Sequence, residues 1–274
     1  MFQADTRYRT TTQSALGILE VIFFATARSV RKSHPNAIVG LAINMIQTMT
    51  LVFVFYIMFT FLGLRGVAVR GDFMVYIMSG IFLFMTQNKA MGAVLSSEGP
   101  ASPMMQHAPM STFVSIISNA LGTLYIQILS VLLVLFVYNA LTGSVAIDNP
   151  VGAFSMLLLA WFVGVSVGLC FLALKPWFPQ FVSIASTIYM RANMLASGKM
   201  FLANTLPFYI LKMFDWNPLF HVIDQSRGFA FINYNPHYSN TTYPLILACV
   251  LLVIGFMGES YTRKHASMSW GARR

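Results

Sequence analysis

Long apolar stretches separated by short polar segments make up most of the chain. Six of these stretches are long enough to cross about 30 Å of bilayer hydrocarbon as helices, which takes roughly 20 residues each. They run approximately over 38–62, 73–95, 113–138, 151–174, 181–203 and 243–259. Because a backbone in lipid must satisfy its own hydrogen bonds, runs of this length are helical. The pattern therefore predicts an all-α polytopic membrane protein with six transmembrane helices.

A shorter apolar segment, 14–32, precedes the first predicted span. It is apolar for about 14 residues, which is short for a span, and it carries Glu20 inside and basic residues at its end. This pattern suits an N-terminal amphipathic helix that lies along the inner membrane interface. The alternative is a seventh span, which would put the two termini on opposite sides of the membrane.

The longest connection, 204–242, has an unusual composition for a loop. It is too apolar for a solvated loop, and Pro207 and Pro218 break it too often for it to span the bilayer. We expect it to form short re-entrant outer helices that dip into the outer leaflet before the last span. Such structure is tolerated where it packs on protein or lines a cavity.

Composition agrees with a membrane protein. The 274 residues are 57% hydrophobic and only 9% charged, whereas a soluble domain usually has roughly 25% charged residues. The mean hydropathy is +0.69. So few charges do not cover a soluble surface of this size, and the remaining apolar surface must face lipid.

The positive charges are concentrated at the two ends of the chain, although the net charge is +9. With six spans, ten basic residues fall on the side of the termini and four on the other side. The positive-inside rule then places both termini in the cytoplasm, and this distribution disfavours nucleic-acid binding. We expect a cytoplasmic N-terminus at 1–37, a transmembrane domain at 38–259 and a basic cytoplasmic tail at 260–274.

Candidate catalytic groups are few. The phosphate-binding Gly-x-x-x-x-Gly-Lys-Ser/Thr pattern does not occur in the sequence, so we expect no ATP hydrolysis by this chain. His221 and Asp224 are three residues apart and would share a helix face. We interpret this pair as structural, holding the re-entrant segment in place. We predict no catalytic site, no metal site and no cofactor bound by this chain.

Charges inside the fifth predicted span suggest a transport pathway. A charge at the bilayer centre costs at least about 2.5–3.5 kcal/mol, so it usually faces a cavity or a partner. Arg191 lies roughly 15 Å into this span, near the midplane, and lines either a path or a protein–protein seam. Lys199 either faces inward as well or reaches the nearby interface. Two inward cations would attract an anionic cargo. Aromatic side chains such as Tyr189 and Phe201 would either stack on sugar rings along the path or pack as ordinary core and lipid-facing residues.

The region from the end of the fifth span into the re-entrant segment resembles a known family. The residues that carry the resemblance are Ser197, Gly198, Phe201 and Pro207, followed by Trp216, Asn217, Pro218, Leu219, His221, Asp224 and Arg227. They are similar to a Ser-Gly-x-x-Phe-x-x-x-x-x-Pro segment and an Asn-Pro-Leu-x-His/Tyr motif in the membrane subunits of ABC-2 type exporters for capsular polysaccharide, O-antigen and teichoic acid. Chain length and topology agree over nearly the whole chain, and the end of the chain looks closest to the capsule exporters.

This resemblance implies the ABC-2 exporter fold and a homodimeric permease paired with two copies of an ABC ATP-binding subunit, which would hold the ATP and Mg²⁺. Segment 96–112 would be the coupling element that receives the movement of those subunits, although it is less charged than its family equivalent. Its candidate contact residues are Pro103, Met104, His107 and Pro109. The permease would sit in the bacterial inner membrane among its lipids, and periplasmic and outer-membrane export proteins would continue the route.

Two other functions remain open from the sequence. An ABC-2 exporter of a lipid, drug or small molecule would have the same topology and the same ATP-binding partner. A membrane-bound enzyme of lipid-linked sugar metabolism would need catalytic groups, for which only His221 and Asp224 are available. We expect an exporter of a lipid-linked or anionic surface polysaccharide.

Overall fold

The computed structural model of the protein describes residues 11–33, 37–61, 72–98, 112–143 and 147–265. Within these ranges the structure is helical and contains no strand, which confirms the all-α prediction for this part of the chain. The helices are α1 (Thr11–Ser33), α2 (Ala37–Phe61), α3 (Phe73–Leu95), α4 (Thr112–Thr142), α5 (Pro150–Leu174), α6 (Pro179–Ala196), α7 (Phe208–Phe214), α8 (Pro218–Ala230) and α9 (Thr242–His265), with a 3₁₀ turn at Ala203–Thr205.

Four stretches in the described part of the chain are long and apolar enough to cross a membrane. They are Ala42–Phe61 in α2 and the whole of α4, α5 and α9. Helices α3 and α6 are missing from this set because polar residues interrupt them, Gln87 to Lys89 in α3 and Arg191 to Asn193 in α6. The chain is therefore a membrane protein with several apolar helices.

The observed helix ends differ from the predicted spans by four residues or more in three places, one of which is α9, which continues to His265 and not only to 259. α6 ends at Ala196, whereas the predicted stretch continued to 203, because Gly198 adopts a φ of +72° that breaks the helix. α4 continues to Thr142 and has 31 residues, so at 1.5 Å per residue it is about 46 Å long. Helix α4 is therefore longer than the roughly 30 Å of hydrocarbon that a transmembrane helix must cross.

α5 is the central helix of the bundle and packs against α3, α8 and α9. Its Gly164 and Gly168 face the backbone of α3, where an added Cβ would lie 2.3 Å from the Gln87 carbonyl oxygen and 2.7 Å from that of Met91. Small residues four positions apart let membrane helices approach closely and gain van der Waals contact. The backbones of α3 and α5 thus approach closely at these two glycines.

α1 packs along α4, where the Ser29 hydroxyl donates a 2.5 Å hydrogen bond to Asn119 Oδ1. Its other face is apolar and exposed, with the side chains of Ile18, Leu19, Val21, Phe23 and Phe24. A helix is therefore present where the amphipathic segment 14–32 is predicted, and its position at the membrane interface stays a prediction.

The predicted outer segment 204–242 contains two short helices, α7 and α8. α8 has 13 residues, or about 20 Å, which is too short to cross about 30 Å of hydrocarbon. It is buried over most of its length, packing on α3 and α5. This short buried helix forms one wall of the candidate functional site.

Candidate functional site

The site begins where α6 ends and the chain turns toward α8. Gly198 has a φ of +72°, in the left-handed region that glycine adopts without steric cost. A Cβ at this position would also lie 2.8 Å from a ring carbon of Phe220. The turn directs the carbonyl groups of Gly198, Lys199 and Phe201 toward α8, where a cation meets them.

That cation is Arg227 of α8, which is 1% exposed. Its Nη1 donates to the carbonyls of Gly198 (2.8 Å) and Phe201 (2.7 Å), and its Nη2 donates to that of Lys199 (2.7 Å). The guanidinium carbon lies 4.2 Å from the ring centroid of Tyr76 on α3. Backbone carbonyl oxygens are strong acceptors, so the two Nη groups are satisfied without a carboxylate, and the buried Nε has no partner among the described residues. Arg227 thereby ties α6, α8 and α3 together.

Lys199, in the same turn, has a buried ammonium group. The residue is 3% exposed, and its Nζ lies 3.6 Å from the ring centroid of Phe84 and 5.0 Å from that of Phe55. Among the described residues this Nζ has no hydrogen-bond partner. Ring faces stabilise a cation electrostatically, but the described residues place no carboxylate in an ion pair with it. The side chain thus faces inward, between α2 and α3.

Asn217, Pro218 and Leu219 start α8 and connect it to α6. The Asn217 side chain accepts a 3.0 Å hydrogen bond from the Leu219 amide, and Pro218 occupies the first helical turn, where its missing N–H costs nothing. The Asn217 amide donates to Asn193 Oδ1 (3.0 Å) and to the Ala196 carbonyl (3.1 Å), both in α6. The Asn-Pro-Leu motif is therefore a helix cap that also joins two helices.

His221 and Asp224 do not pair with each other. His221 Nδ1 accepts from the Asn240 amide (3.3 Å), so Nε2 carries the hydrogen and donates to the Asp215 carbonyl at 2.7 Å, with the Asp215 carboxylate 3.3 Å away. These contacts hold Asp215 and Asn240, which lie before and after α8 in the chain, against that helix.

Asp224 is 2% exposed and accepts hydrogen bonds from the hydroxyls of Tyr234 and Ser239, the latter at 2.7 Å. Burial and the neighbouring carboxylate raise the pKa of Tyr234, so this phenol keeps its proton and remains a donor. Asp215 and Asp224 are thus both held by hydrogen-bond donors of the outer segment, and their role is structural.

Arg191 lies on the opposite side of α6 from the buried turn. It is exposed in this chain, on a face that also presents Ile184 (62% exposed), Ile188 (60%) and Leu195 (68%). These positions recur at helical spacing and form one stripe. The structure therefore does not bring Arg191 and Lys199 together within one chain: Lys199 faces the core and Arg191 faces outward.

The other predicted pathway and motif residues lie at the edges of this cluster. Tyr189 is half-buried, and its hydroxyl accepts a 3.0 Å hydrogen bond from the Gln87 amide of α3. Phe201 is half-buried and stacks on Phe214 of α7, with ring centroids 5.3 Å apart. Trp216 is 59% exposed, and its carbonyl accepts from the Tyr243 hydroxyl at 2.6 Å. Pro103, Met104, His107 and Pro109 lie outside the described residues.

Sequence reasoning missed the partners that α2 and α3 contribute. Phe55, Phe84 and Tyr76 look like ordinary apolar positions, and only the fold places their rings beside the two cations. Gly80 of α3 is a further case, because a Cβ there would lie 2.9 Å from Lys199 Cα and 3.0 Å from Arg227 Nη2. The sequence offered one signal that α3 contributes to the site, the polar Gln87 within an apolar span. Polar residues in such spans usually face the bundle interior.

The site has the chemistry of binding and support, with two buried cations, aromatic rings and amide groups. Within the described residues, histidine, cysteine and acidic side chains form no group of three or more that would hold a metal ion. Arg227 and Asn217 tie the outer segment to α6 and to the turn after it, whereas His221 and Asp224 bind partners within the segment itself. Lys199 is the cation for which the described residues offer only ring faces.

Comparison with known proteins identifies the family. Residues 20–231 match the ABC-2 type transporter family. Two relatives from Escherichia coli, each with the description polysialic acid transport protein KpsM, are 27% identical to this chain over 207 and 208 residues. Each alignment covers 72% of this chain and 76% of the relative. The family match begins within α1 and ends just after α8, so it covers most of the chain. The protein therefore belongs to the ABC-2 type transporter family.

Proposed function

We propose that this chain is the permease subunit of an ATP-driven exporter that moves a surface polysaccharide across the bacterial inner membrane. The observation that carries the proposal is the similarity to two polysialic acid transport proteins over 72% of the chain. The broader family match and the apolar helices of the fold agree with this similarity. A site whose side chains support the fold and offer groups for binding also fits a transporter subunit.

Six spans, with both termini in the cytoplasm, form the proposed topology. α2, α3, α4, α5, α6 and α9 would cross the bilayer, with α1 at the inner interface and α7 and α8 at the outer side. α3 is buried on most of its surface, so its polar Gln87 to Lys89 need not face lipid. α6 has 18 residues, about 27 Å at 1.5 Å per residue, which nearly matches the hydrocarbon thickness.

An anionic, lipid-linked glycan is the proposed cargo. Sialic acid units carry carboxylates, and the name of both relatives gives a polymer of these units as their cargo. In this chain, Lys199 supplies a cation without an anionic partner among the described residues, and Arg191 supplies another on the exposed face of α6. Movement of α2 away from α3 would open the rings around Lys199 to such a polymer.

A homodimer is the proposed assembly, because the exposed face of α6 carries Arg191, five residues before the helix ends at Ala196. A charge that faces lipid is costly, about 2.5–3.5 kcal/mol or more at the bilayer centre. Covering this face with a second copy of the chain, or with a water-filled path between two copies, removes that cost. Tyr189 and Phe201 would lie next to the same path.

Two ATP-binding subunits are the proposed energy source, since family membership implies partnership with such a subunit. They would bind ATP and Mg²⁺ and contact segment 96–112 through Pro103, Met104, His107 and Pro109. The tail 260–274 and the N-terminal region 1–37 would lie on the same side. Periplasmic and outer-membrane export proteins would receive the glycan.

A deletion strain tests the proposal directly. Removing the gene should abolish the cell-surface polysaccharide while the polymer accumulates in the cytoplasm, and the wild-type gene on a plasmid should restore it. The measurement is polymer in the surface and cytoplasmic fractions, with an ATPase-deficient partner subunit as the control for energy coupling. Normal surface polymer in the deletion strain, together with sensitivity to a small toxic compound, would instead support a small-molecule exporter.

A further inference from the structure

A nearly uniform apolar cavity of about 210 Å³ lies between α3, α4, α5 and α8, away from the cationic turn. Most of its wall is aliphatic and aromatic, including Val75, Met78, Phe82, Val131, Leu135 and Leu157. The hydroxyls of Ser79 and Ser226 are the polar side-chain groups in its wall, and that of Ser79 already donates to the Tyr76 carbonyl at 2.8 Å. The cavity thus offers almost no hydrogen-bonding groups to an occupant.

The cavity exists because α4 and α5 diverge. These helices follow each other in the chain but make few contacts, and each packs mainly on other helices. Leu132 of α4 is 59% exposed and Phe154 of α5 is 44% exposed, and both line the cavity. The cleft therefore opens sideways, between two helices that are long and apolar enough to cross a membrane.

Its depth corresponds to one half of a bilayer. The lining residues on α3, α4 and α5 fall in 75–83, 131–135 and 150–157, respectively. At 1.5 Å per residue, all of them lie within about 17 Å of the same end of these helices. Half of the hydrocarbon core is about 15 Å thick. An acyl chain from that leaflet would meet the cleft along its length.

Water is a poor occupant of such a cavity, because apolar cavities of about 150 Å³ stay dry and bind small apolar molecules. An empty cleft would lose dispersion contacts on all its walls. A lipid chain gains little hydrophobic energy by leaving its neighbours, so its fit to the cleft must come from these packing contacts. The occupant is therefore apolar, chain-like and available from the bilayer.

The mouth of the cleft carries acidic and amide groups. Ile147 and Pro150 line the cavity, and the exposed Asp148 and Asn149 lie between them. The backbone amides of Asp148 and Asn149 donate to the carbonyls of Ala230 and Phe229, which hold this segment on the end of α8. A carboxylate in this position attracts a positively charged headgroup and repels an anionic one.

From this combination we propose that the cleft between α4 and α5 binds one acyl chain of an amine-headed membrane phospholipid, with its ammonium group beside Asp148. The lipid is a structural partner of the bundle, and the site is separate from the path of the exported polymer. The proposal depends on insertion of α4 and α5 in the bilayer and on no property of the cargo.

Photolabelling of the purified, reconstituted protein tests this site. The vesicles contain phosphatidylcholine and a trace of phosphatidylethanolamine that carries a diazirine in its acyl chain. Met78 and Phe82 are 3% and 5% exposed but line the cleft, whereas Ile77 and Ile81, each 1% exposed, do not. Peptide mass spectrometry should find the label on Met78 and Phe82 and not on Ile77 or Ile81.

Two variants of α5 form a matched pair for the same measurement. Ala153→Phe fills the cleft, while Val151→Phe adds a ring at a position that is 78% exposed and outside the lining. Labelling of Met78 and Phe82 should fall at least about fivefold in A153F, a loss of about 1 kcal/mol in binding, and stay at the wild-type level in V151F. If A153F fails to fold, Leu132→Trp at the sideways opening between α4 and α5 serves the same purpose.

Three results would overturn the proposal. These are equal labelling of the cleft and non-cleft residues, labelling unchanged by both filling variants, and equal labelling by a phosphatidylglycerol probe. Labelling that appears only when an extract of the cargo glycolipid is added would also overturn it, since the occupant would then be the anchor of the cargo. The first three results leave the proposal of polysaccharide export unaffected.

Discussion

At the scale of single residues, two buried cations of this protein are held in different ways. Arg227 donates from Nη1 and Nη2 to three carbonyl groups and lies on a tyrosine ring, while its Nε has no partner among the described residues, so it stabilises the fold. Lys199 has ring faces but no hydrogen-bond partner among the described residues. A buried charge without a partner usually costs stability, and such costs are common at functional sites.

Lys199→Met separates these two roles. Methionine keeps the length of the side chain, fills the space between Phe55 and Phe84 and makes favourable sulfur–aromatic contacts, so the melting temperature of the purified protein should stay the same or rise. Export of an anionic polymer should fall about tenfold, as expected from losing about 1.4 kcal/mol of interaction. The matched control is Lys212→Met on α7, at an exposed lysine. Normal export by K199M would remove Lys199 from the pathway.

At the scale of helices, the fold depends on close contacts at helix ends and crossings. α5 approaches α3 through Gly164 and Gly168, and α8 is joined to α6 by the Asn217 side chain. Asn44 of α2 donates to Gln127 (3.1 Å) and Ser130 (2.6 Å) of α4. Polar groups in lipid favour such partners because the alternative is an unsatisfied group in hydrocarbon. These contacts decide which helix faces are buried.

Asn217→Ala tests the connection between α6 and α8. The variant loses the cap of α8, worth about 1 kcal/mol, and leaves Asn193 Oδ1 without its donor, which adds about 1–3 kcal/mol. Thermal melting in detergent should show a clear decrease in melting temperature. Asn217→Ser keeps an acceptor for the Leu219 amide but lacks the amide donors, so it should fall between the wild type and N217A. Equal melting of all three proteins would show that these bonds contribute nothing.

At the scale of the whole molecule, the proposed topology places the end of α3 and the start of α9 on opposite sides of the membrane. The 204–242 segment follows α6 and is joined to it and to its following turn by Asn217 and Arg227. The last residue of α3, Leu95, lies at the opposite end of that helix from Phe73. This arrangement makes the accessibility of each end a direct test of orientation.

Cysteine labelling of intact cells provides this test. In a background with Cys170 and Cys249 replaced, His237→Cys should react with a membrane-impermeant maleimide from outside, because residue 237 is exposed and lies in the proposed outer segment. Ser96→Cys, exposed at the other end of α3, is the control and should react only after permeabilisation. The reverse labelling pattern would place both termini outside.

The sequence by itself determined the all-helical class, the positions of the long apolar helices and the family, because these follow from hydrophobic length and local motifs. The Asn217-Pro218-Leu219 motif was visible for the same reason, since a helix cap is local. Only the tertiary structure decided that Arg191 faces outward while Lys199 lies among rings of α2 and α3, and that His221 contacts Asp215 and not Asp224. Helical periodicity shows which residues share a face, but the neighbour of that face depends on packing between helices far apart in the chain.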